Sequence, residues 1–137
     1  MAIQRGYLLD TNICIYISKQ KPLSVMRKFT NMSVGSLVMS VITRGELLFG
    51  AQKSHSPQKA FAVLEELEKY IPCLPMSGEV GNCYGEIRHK LEKLGKPIGN
   101  NDLWIAAHAV AENLILVTNN ETEFARIPEL SVENWVE

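Results

Sequence analysis

Leu114-Ile115-Leu116-Val117 is four apolar residues without a break, bounded by Asn113 and Thr118. A strand with one wet face alternates apolar and polar residues, so an unbroken run reads as a strand buried on both faces, the habit of parallel sheets. Parallel neighbours cannot be joined by a tight hairpin and need a crossover, usually a helix. The rest of the chain supplies that alternation. Tyr7-Leu8-Leu9 and Leu37-Val38-Met39-Ser40 are strand-like, and helical patterns follow at 13–19 and 23–30 after the first and from Thr43 to about Lys53 after the second. Pro57 opens a helix in which Ala60, Val63, Leu64, Leu67 and Tyr70 recur at helical spacing. A short strand at 71–76 contains Pro72 and Pro75 and belongs near a sheet edge, because proline cannot donate to a ladder.

Cys83, Ile87, Leu91 and Leu94 make the apolar stripe of a long helix stopped at Gly95. An alanine-rich helix spans 100–113, a turn or short helix follows Asn120, and 130–132 reads as a last edge strand. The expectation is an α/β chain, one domain over residues 1–137, with helices on both faces of a parallel sheet. In such sheets ligand sites form beyond the carboxyl ends of the strands, at a switch point.

Composition narrows the class. A hydrophobic content of 46% suffices for one sizeable core. No apolar run approaches the ~20 residues a membrane span needs, and the chain enters a strand-like segment without a signal-peptide pattern. The three cysteines, Cys14, Cys73 and Cys83, are an odd number without C-x-x-C spacing. That argues against a disulfide framework or a zinc site, and points to small buried hydrophobes in a reduced cytoplasm. Net charge is −1, but residues 1–60 carry +6 and residues 61–137 carry −7. Such asymmetry can mark a polyanion-binding face or a mixed solvated surface.

The acids are distributed unevenly. Thirteen are glutamates and two are aspartates, Asp10 and Asp102. Asp10 directly follows the first strand, Glu46 follows the second by a few residues, and Asp102 opens the alanine-rich helix. Each has a local explanation: Asp10 or Asn12 caps one helix, Asn101 or Asp102 another, and Thr43-Arg44-Gly45-Glu46 has the form of a capping box. Capping does not require that both aspartates of the chain gather at one end of a sheet with a glutamate beside them. A Mg²⁺ site does, since the ion takes hard oxygen ligands and carboxylates that would otherwise repel one another.

Leu8-Leu9-Asp10-Thr11-Asn12, then Thr43-x-x-Glu46-Leu47 with Phe49-Gly50-Ala51, resemble the first two motifs of PIN-domain nucleases. Gly95-Lys96-Pro97-Ile98-Gly99-Asn100-Asn101-Asp102, continuing to Ile105-Ala106-Ala107-His108-Ala109, is similar to the third motif of VapC toxins. Thr118-Asn119-Asn120 with Glu123-Phe124 matches the fourth, and Asn134-Trp135 resembles a VapC tail. The resemblance implies a PIN-like three-layer α/β/α fold and an endoribonuclease of a type II toxin–antitoxin pair. It implies Asp10, Glu46 and Asp102 as metal-binding carboxylates for Mg²⁺, with Mn²⁺ as a substitute. Asn120 stands where many relatives have a fourth acid and Glu123 aligns with a nearby acidic position, and the resemblance implies that Thr11 and Thr118 orient ligands or the attacking water. It further implies structured RNA such as tRNA as substrate, a VapB-type antitoxin as partner, and a homodimer.

The implied chemistry is metal-assisted in-line hydrolysis of a phosphodiester. Lys19, Lys21, Arg27 and Lys28 are candidate phosphate contacts, as are Arg88, Lys90, Lys93 and Lys96 leading into the third motif. Trp104, on an apolar helix, reads as core rather than as a base-stacking platform. The antitoxin groove is expected along 13–17 and 47–49. Two rivals remain. A dehalogenase-like phosphohydrolase needs a second Asp two residues after Asp10, where this chain has Asn12. A non-catalytic α/β binding module with a relic metal site would lack Mg²⁺-dependent cleavage altogether.

Overall fold

The computed structural model describes residues 5–33 and 35–136. Five parallel strands lie in the order β3-β2-β1-β4-β5. They are β1 (Tyr7–Leu9), β2 (Leu37–Ser40), β3 (Cys73–Leu74), β4 (Ile115–Val117) and β5 (Val132–Glu133). The crossovers carry α1 (Thr11–Ser18), α2 (Leu23–Thr30), α3 (Val41–Gln52), α4 (Pro57–Tyr70), α5 (Gly78–Lys93), α6 (Asn100–Ala111) and α7 (Glu121–Phe124). The proline-bracketed strand β3 and the last strand β5 are the two edges, as the sequence pattern requires.

Successive side chains of a strand point to opposite faces, and each face of this sheet has its own core. Leu8 and Leu116 pack with Val80, Ile87, Leu91, Ile105 and Phe124, under α5, α6 and α7. Leu9 and Val117 pack with Ile13, Val25, Leu67 and Trp135, under α1, α2 and α4. The result is three layers, helix–sheet–helix. Gly95, at φ +68°, ends α5 in the left-handed region that glycine takes without steric cost.

Several local expectations change. Leu94, assigned to the apolar stripe of α5, is 68% exposed beyond the helix end. Cys14 is buried, but Cys73 and Cys83 are only half-buried. Trp104 is half-buried, because its ring lies against Tyr84 with centroids 3.8 Å apart and planes 12° from parallel. His108 is fully buried on α6, and its ring approaches the Pro75 carbonyl without reaching good hydrogen-bond geometry.

Candidate metal centre

The strand order places the switch point between β1 and β4: the chain leaves β1 toward β2 on one side and later returns as β4 on the other. Asp10 is the first residue beyond β1 and Thr118 the first beyond β4. The Asp10 N–H donates to the Val117 carbonyl at 2.9 Å, which locks the two strand ends together. With extended φ and ψ, Asp10 caps α1, its Oδ1 accepting from the Thr11 N–H at 2.8 Å. Its Oδ2 accepts from the Thr118 hydroxyl, also at 2.8 Å. Capping and site roles thus fall on one residue, only 6% exposed. Burial pushes the Asp10 carboxyl up, the bonds from Thr118 and Thr11 pull it down, and the charge of Glu46 adds to the rise.

Glu46 arrives from α3. The capping box expected at Thr43 and Glu46 is absent: Ser40, at the end of β2, caps α3 by accepting from the Ile42 and Thr43 N–H groups. The helix therefore starts at Val41, two residues early, and Thr43 sits in its first turn, fully buried. This frees both side chains for the site. The Thr11 hydroxyl donates to Glu46 Oε1 at 2.8 Å and lies 3.1 Å from the Thr43 hydroxyl.

Asp102 is the third residue of α6, whose cap is Gly99, and no side chain caps that helix. Local capping thus does not explain Asp102. Its carboxyl faces that of Glu123 closely enough to share a hydrogen. Its pKa is pushed up to about 7, first by burial, then by the charge of Asp10, the hydrogen bond and charge of Glu123, and the charge of Glu46. Asn120 donates its side-chain amide to Glu123 Oε2 at 3.2 Å, and its backbone N–H donates to the Thr118 hydroxyl oxygen at 3.0 Å. Asn120 thus meets Asp102 through Glu123, and Thr118 links both halves of the cluster.

The expected phosphate contacts divide. Lys19 and Lys21 are exposed beyond the far end of α1, separated from Asp10 by about 12 Å of helical rise. Arg27 and Lys28 are exposed on the last turn of α2, where Lys28 comes within 3.9 Å of Glu133. Arg88, from the second basic stretch, lies next to Asn100 through Tyr84 and so stands closer to the third motif. Of the stretches expected to form the antitoxin groove, Ile13 and Leu47 are core, whereas Phe49 is 65% exposed and Ile15 and Tyr16 are half-buried; a separate apolar groove runs between α1, α2 and α4 over Ile17, Met26, Phe29, Val63, Leu67 and Tyr70. The hydrogen-bonding roles of Ser40, Thr43 and Tyr84 were not read from sequence; a Ser at a strand–helix junction was the available signal for the first.

The donor set suits a hard divalent ion: carboxylate, hydroxyl and amide oxygens, without a described histidine or cysteine among them. Among the described residues no three acidic, histidine or cysteine side chains close tightly enough to cage a metal by themselves. Mg²⁺ asks for less, being held by one or two carboxylates with waters and substrate phosphate completing its octahedron. The Asp102 carboxyl is raised first by burial and then by the neighbouring charges of Asp10, Glu123 and Glu46, and a cation would relieve that second contribution. The residues fit the ion.

The class of domain follows from the whole arrangement. Residues 7–130 match the PIN-domain family. The chain is 45% identical to Ribonuclease VapC2 of Haemophilus influenzae, over 95% of this chain and 98% of that one. It is 41% identical to the tRNA(fMet)-specific endonuclease VapC of Shigella flexneri, over 94% and 97%. Among solved structures, DNA-bound VapBC from Salmonella typhimurium aligns with a TM-score of 0.90 at 37% identity, over 97% of this chain and all of that one. The chain belongs to the PIN-domain family, within its VapC ribonuclease toxins.

Proposed function

We propose that the chain is a Mg²⁺-dependent endoribonuclease that hydrolyses structured RNA, with tRNA as the expected substrate, and that its growth-inhibiting activity is held in check by a VapB-type antitoxin. One observation carries the reading: at the sheet's switch point Asp10, Glu46 and Glu123 lie close enough to Asp102 for their charges to raise its carboxyl, and Glu46 lies close enough to Asp10 to do the same there. The relative named for tRNA(fMet) cleavage supports the substrate class, and the VapBC neighbour supports the partner.

Asp10 and Asp102, with Glu46, would hold the ion, Mg²⁺ or in its place Mn²⁺. A bound ion of this kind supplies Lewis acidity toward the scissile phosphate and lowers the pKa of water. The chain does the positioning. Thr118 fixes the Asp10 carboxylate through Oδ2, and Thr11 fixes Glu46. Asn120 holds Glu123 toward Asp102, so this pair can take or give a proton as RNA binds and leaves. An amphipathic antitoxin helix would lie in the groove between α1, α2 and α4, where Phe29 and Tyr70 pack edge to face.

The test is cleavage of purified tRNA by the purified chain, with Mg²⁺ or with chelator, in parent and Asp10→Asn. Cleavage only by the parent and only with metal is expected. Cleavage unaffected by chelator and by the substitution removes the assignment.

A further inference from the structure

Beside the carboxylates, and separate from them, the C-terminal half of α5, the loop after it and the first turn of α6 line a half-open cavity of about 370 Å³, within the range of small-ligand pockets, roughly 300–1,000 Å³. Its floor is apolar, formed by Leu91, Ile98 and Leu103, all less than a tenth exposed. Its rim is polar: Arg88, Glu92 and Asn100.

The rim is braced. Arg88 Nε donates to Glu92 Oε2 at 2.6 Å and Arg88 Nη1 to the Tyr84 hydroxyl at 2.9 Å. The Tyr84 hydroxyl in turn donates to Asn100 Oδ1. Tyr84 is itself held flat against Trp104. Three side chains, Glu92, Tyr84 and Trp104, thus fix one guanidinium and one amide at the mouth of an apolar slot. Ordering them beforehand lowers the cost of binding.

A flat ligand with apolar faces and a hydrogen-bonding edge suits such a slot. A free phosphate would find Arg88 already paired to Glu92 and an apolar floor beneath it. A purely apolar ligand would bring no partner for the polar edge that Arg88, Glu92 and Asn100 present. An unstacked nucleobase offers both surfaces, and proteins read single-stranded RNA by pairing such surfaces with apolar or guanidinium faces and polar side chains. Asn100 stands two residues before Asp102, on the first turn of the same helix. A base in the slot would therefore belong to a nucleotide close to the scissile phosphate.

We propose that this cavity binds one unstacked nucleobase of the RNA substrate and sets which nucleotide lies next to the cut. The proposal rests on the ribonuclease reading of the neighbouring carboxylates.

The probes are the four nucleoside 5′-monophosphates and ribose 5-phosphate, titrated without metal into the isotopically labelled chain and followed by NMR. At least one nucleotide should shift the Arg88 Nε–H, the Asn100 side-chain amide and the Trp104 indole signals in a saturable way. Trp135, 1% exposed with its indole N–H bonded to Glu133 at 2.8 Å, is an internal control that should stay still. Ribose 5-phosphate should leave all of them unmoved. Arg88→Ala and Asn100→Ala, both at exposed positions, should keep the fold by the same spectra and weaken the nucleotide by at least about fivefold. If ribose 5-phosphate moves the same signals, the site is a phosphate site and the proposal is wrong. It is equally wrong if no nucleotide moves them. Metal-dependent tRNA cleavage is scored on the same parent protein: cleavage without nucleotide binding refutes the pocket alone, whereas binding without cleavage supports the pocket and refutes the ribonuclease reading.

Discussion

The two halves of the carboxylate centre are built in opposite ways. Around Asp10, both carboxylate oxygens already have a donor, the residue is almost wholly buried, and its backbone ties two central strands together. Around Asp102, a half-buried carboxyl faces another acid, and burial with four nearby charges and contacts lifts it to about 7. The first half has its hydrogen-bond donors supplied by the fold, although burial and the charge of Glu46 still raise its carboxyl. The second is left with unbalanced charge that only a proton or a cation can settle. A rigid anchor beside an adjustable partner is a physical basis for the proposed metal site.

Substitutions separate the halves. Asp10→Asn and Asp102→Asn should both reduce RNA cleavage to background, the largest effect expected. Their stabilities should move in opposite directions without metal. Asp10→Asn turns an amide toward the donor of Thr11 or Thr118 and should cost about 1–3 kcal/mol. Asp102→Asn removes charge repulsion and should gain about 1 kcal/mol, much reduced by solvent screening at a half-exposed site. Denaturant unfolding of both proteins with chelator present measures the pair; equal losses would erase the distinction drawn between the halves.

Thr118→Val keeps the shape of the strand end but deprives Asp10 Oδ2 of its donor and Asn120 of its acceptor. Partners that orient metal ligands are worth about 10–100-fold in affinity or activity, and a loss in that range is expected in Mg²⁺ titrations of the cleavage rate. Asn120 acts one step further out, through Glu123. Asn120→Ala should therefore cost less than Thr118→Val, and Asn120→Asp should tighten metal binding most at low Mg²⁺. An Asn120→Ala protein as inactive as Asp10→Asn would make Asn120 a primary residue of the centre.

Stability against pH gives the smallest effect. A carboxyl raised in the folded state binds more protons there than in the unfolded chain between its ordinary value and about 7. Metal-free stability should therefore fall as pH rises from 5 to 8, and Asp102→Asn should flatten that fall. His108 works the other way: burial lowers its pKa despite the charge of Glu112 and the Pro75 carbonyl, so stability is lost as pH drops below about 6.5. The difference between parent and Asp102→Asn isolates the carboxyl. An unchanged slope in the variant would place the titration elsewhere.

Much of this was legible in the chain. Hydrophobic runs announced a parallel sheet because Leu8, Leu9, Leu116 and Val117 must satisfy two cores at once. Prolines marked β3 as an edge, and the scarcity of aspartate drew attention to Asp10 and Asp102. What could not be read depends on tertiary neighbours. Thr43 and Glu46 look like a capping box locally, yet Ser40 takes the cap and releases them to meet Thr11. Trp104 has the spacing of a core residue, but a tyrosine from another helix covers it. Similarly, Glu123 could be placed near the site by motif, while its facing of Asp102 depends on the turn set by Thr118 and Asn120.

The central claim is that Asp102 gives up a proton when a cation enters. Calorimetric titration of Mg²⁺ into the parent at pH 7, in two buffers of different ionisation heat, measures that proton directly. With a carboxyl near 7, release of about half a proton per bound ion is expected, with none from Asp102→Asn, which should also bind Mg²⁺ weakly. No binding by the parent, or the same proton release from both proteins, would contradict the account.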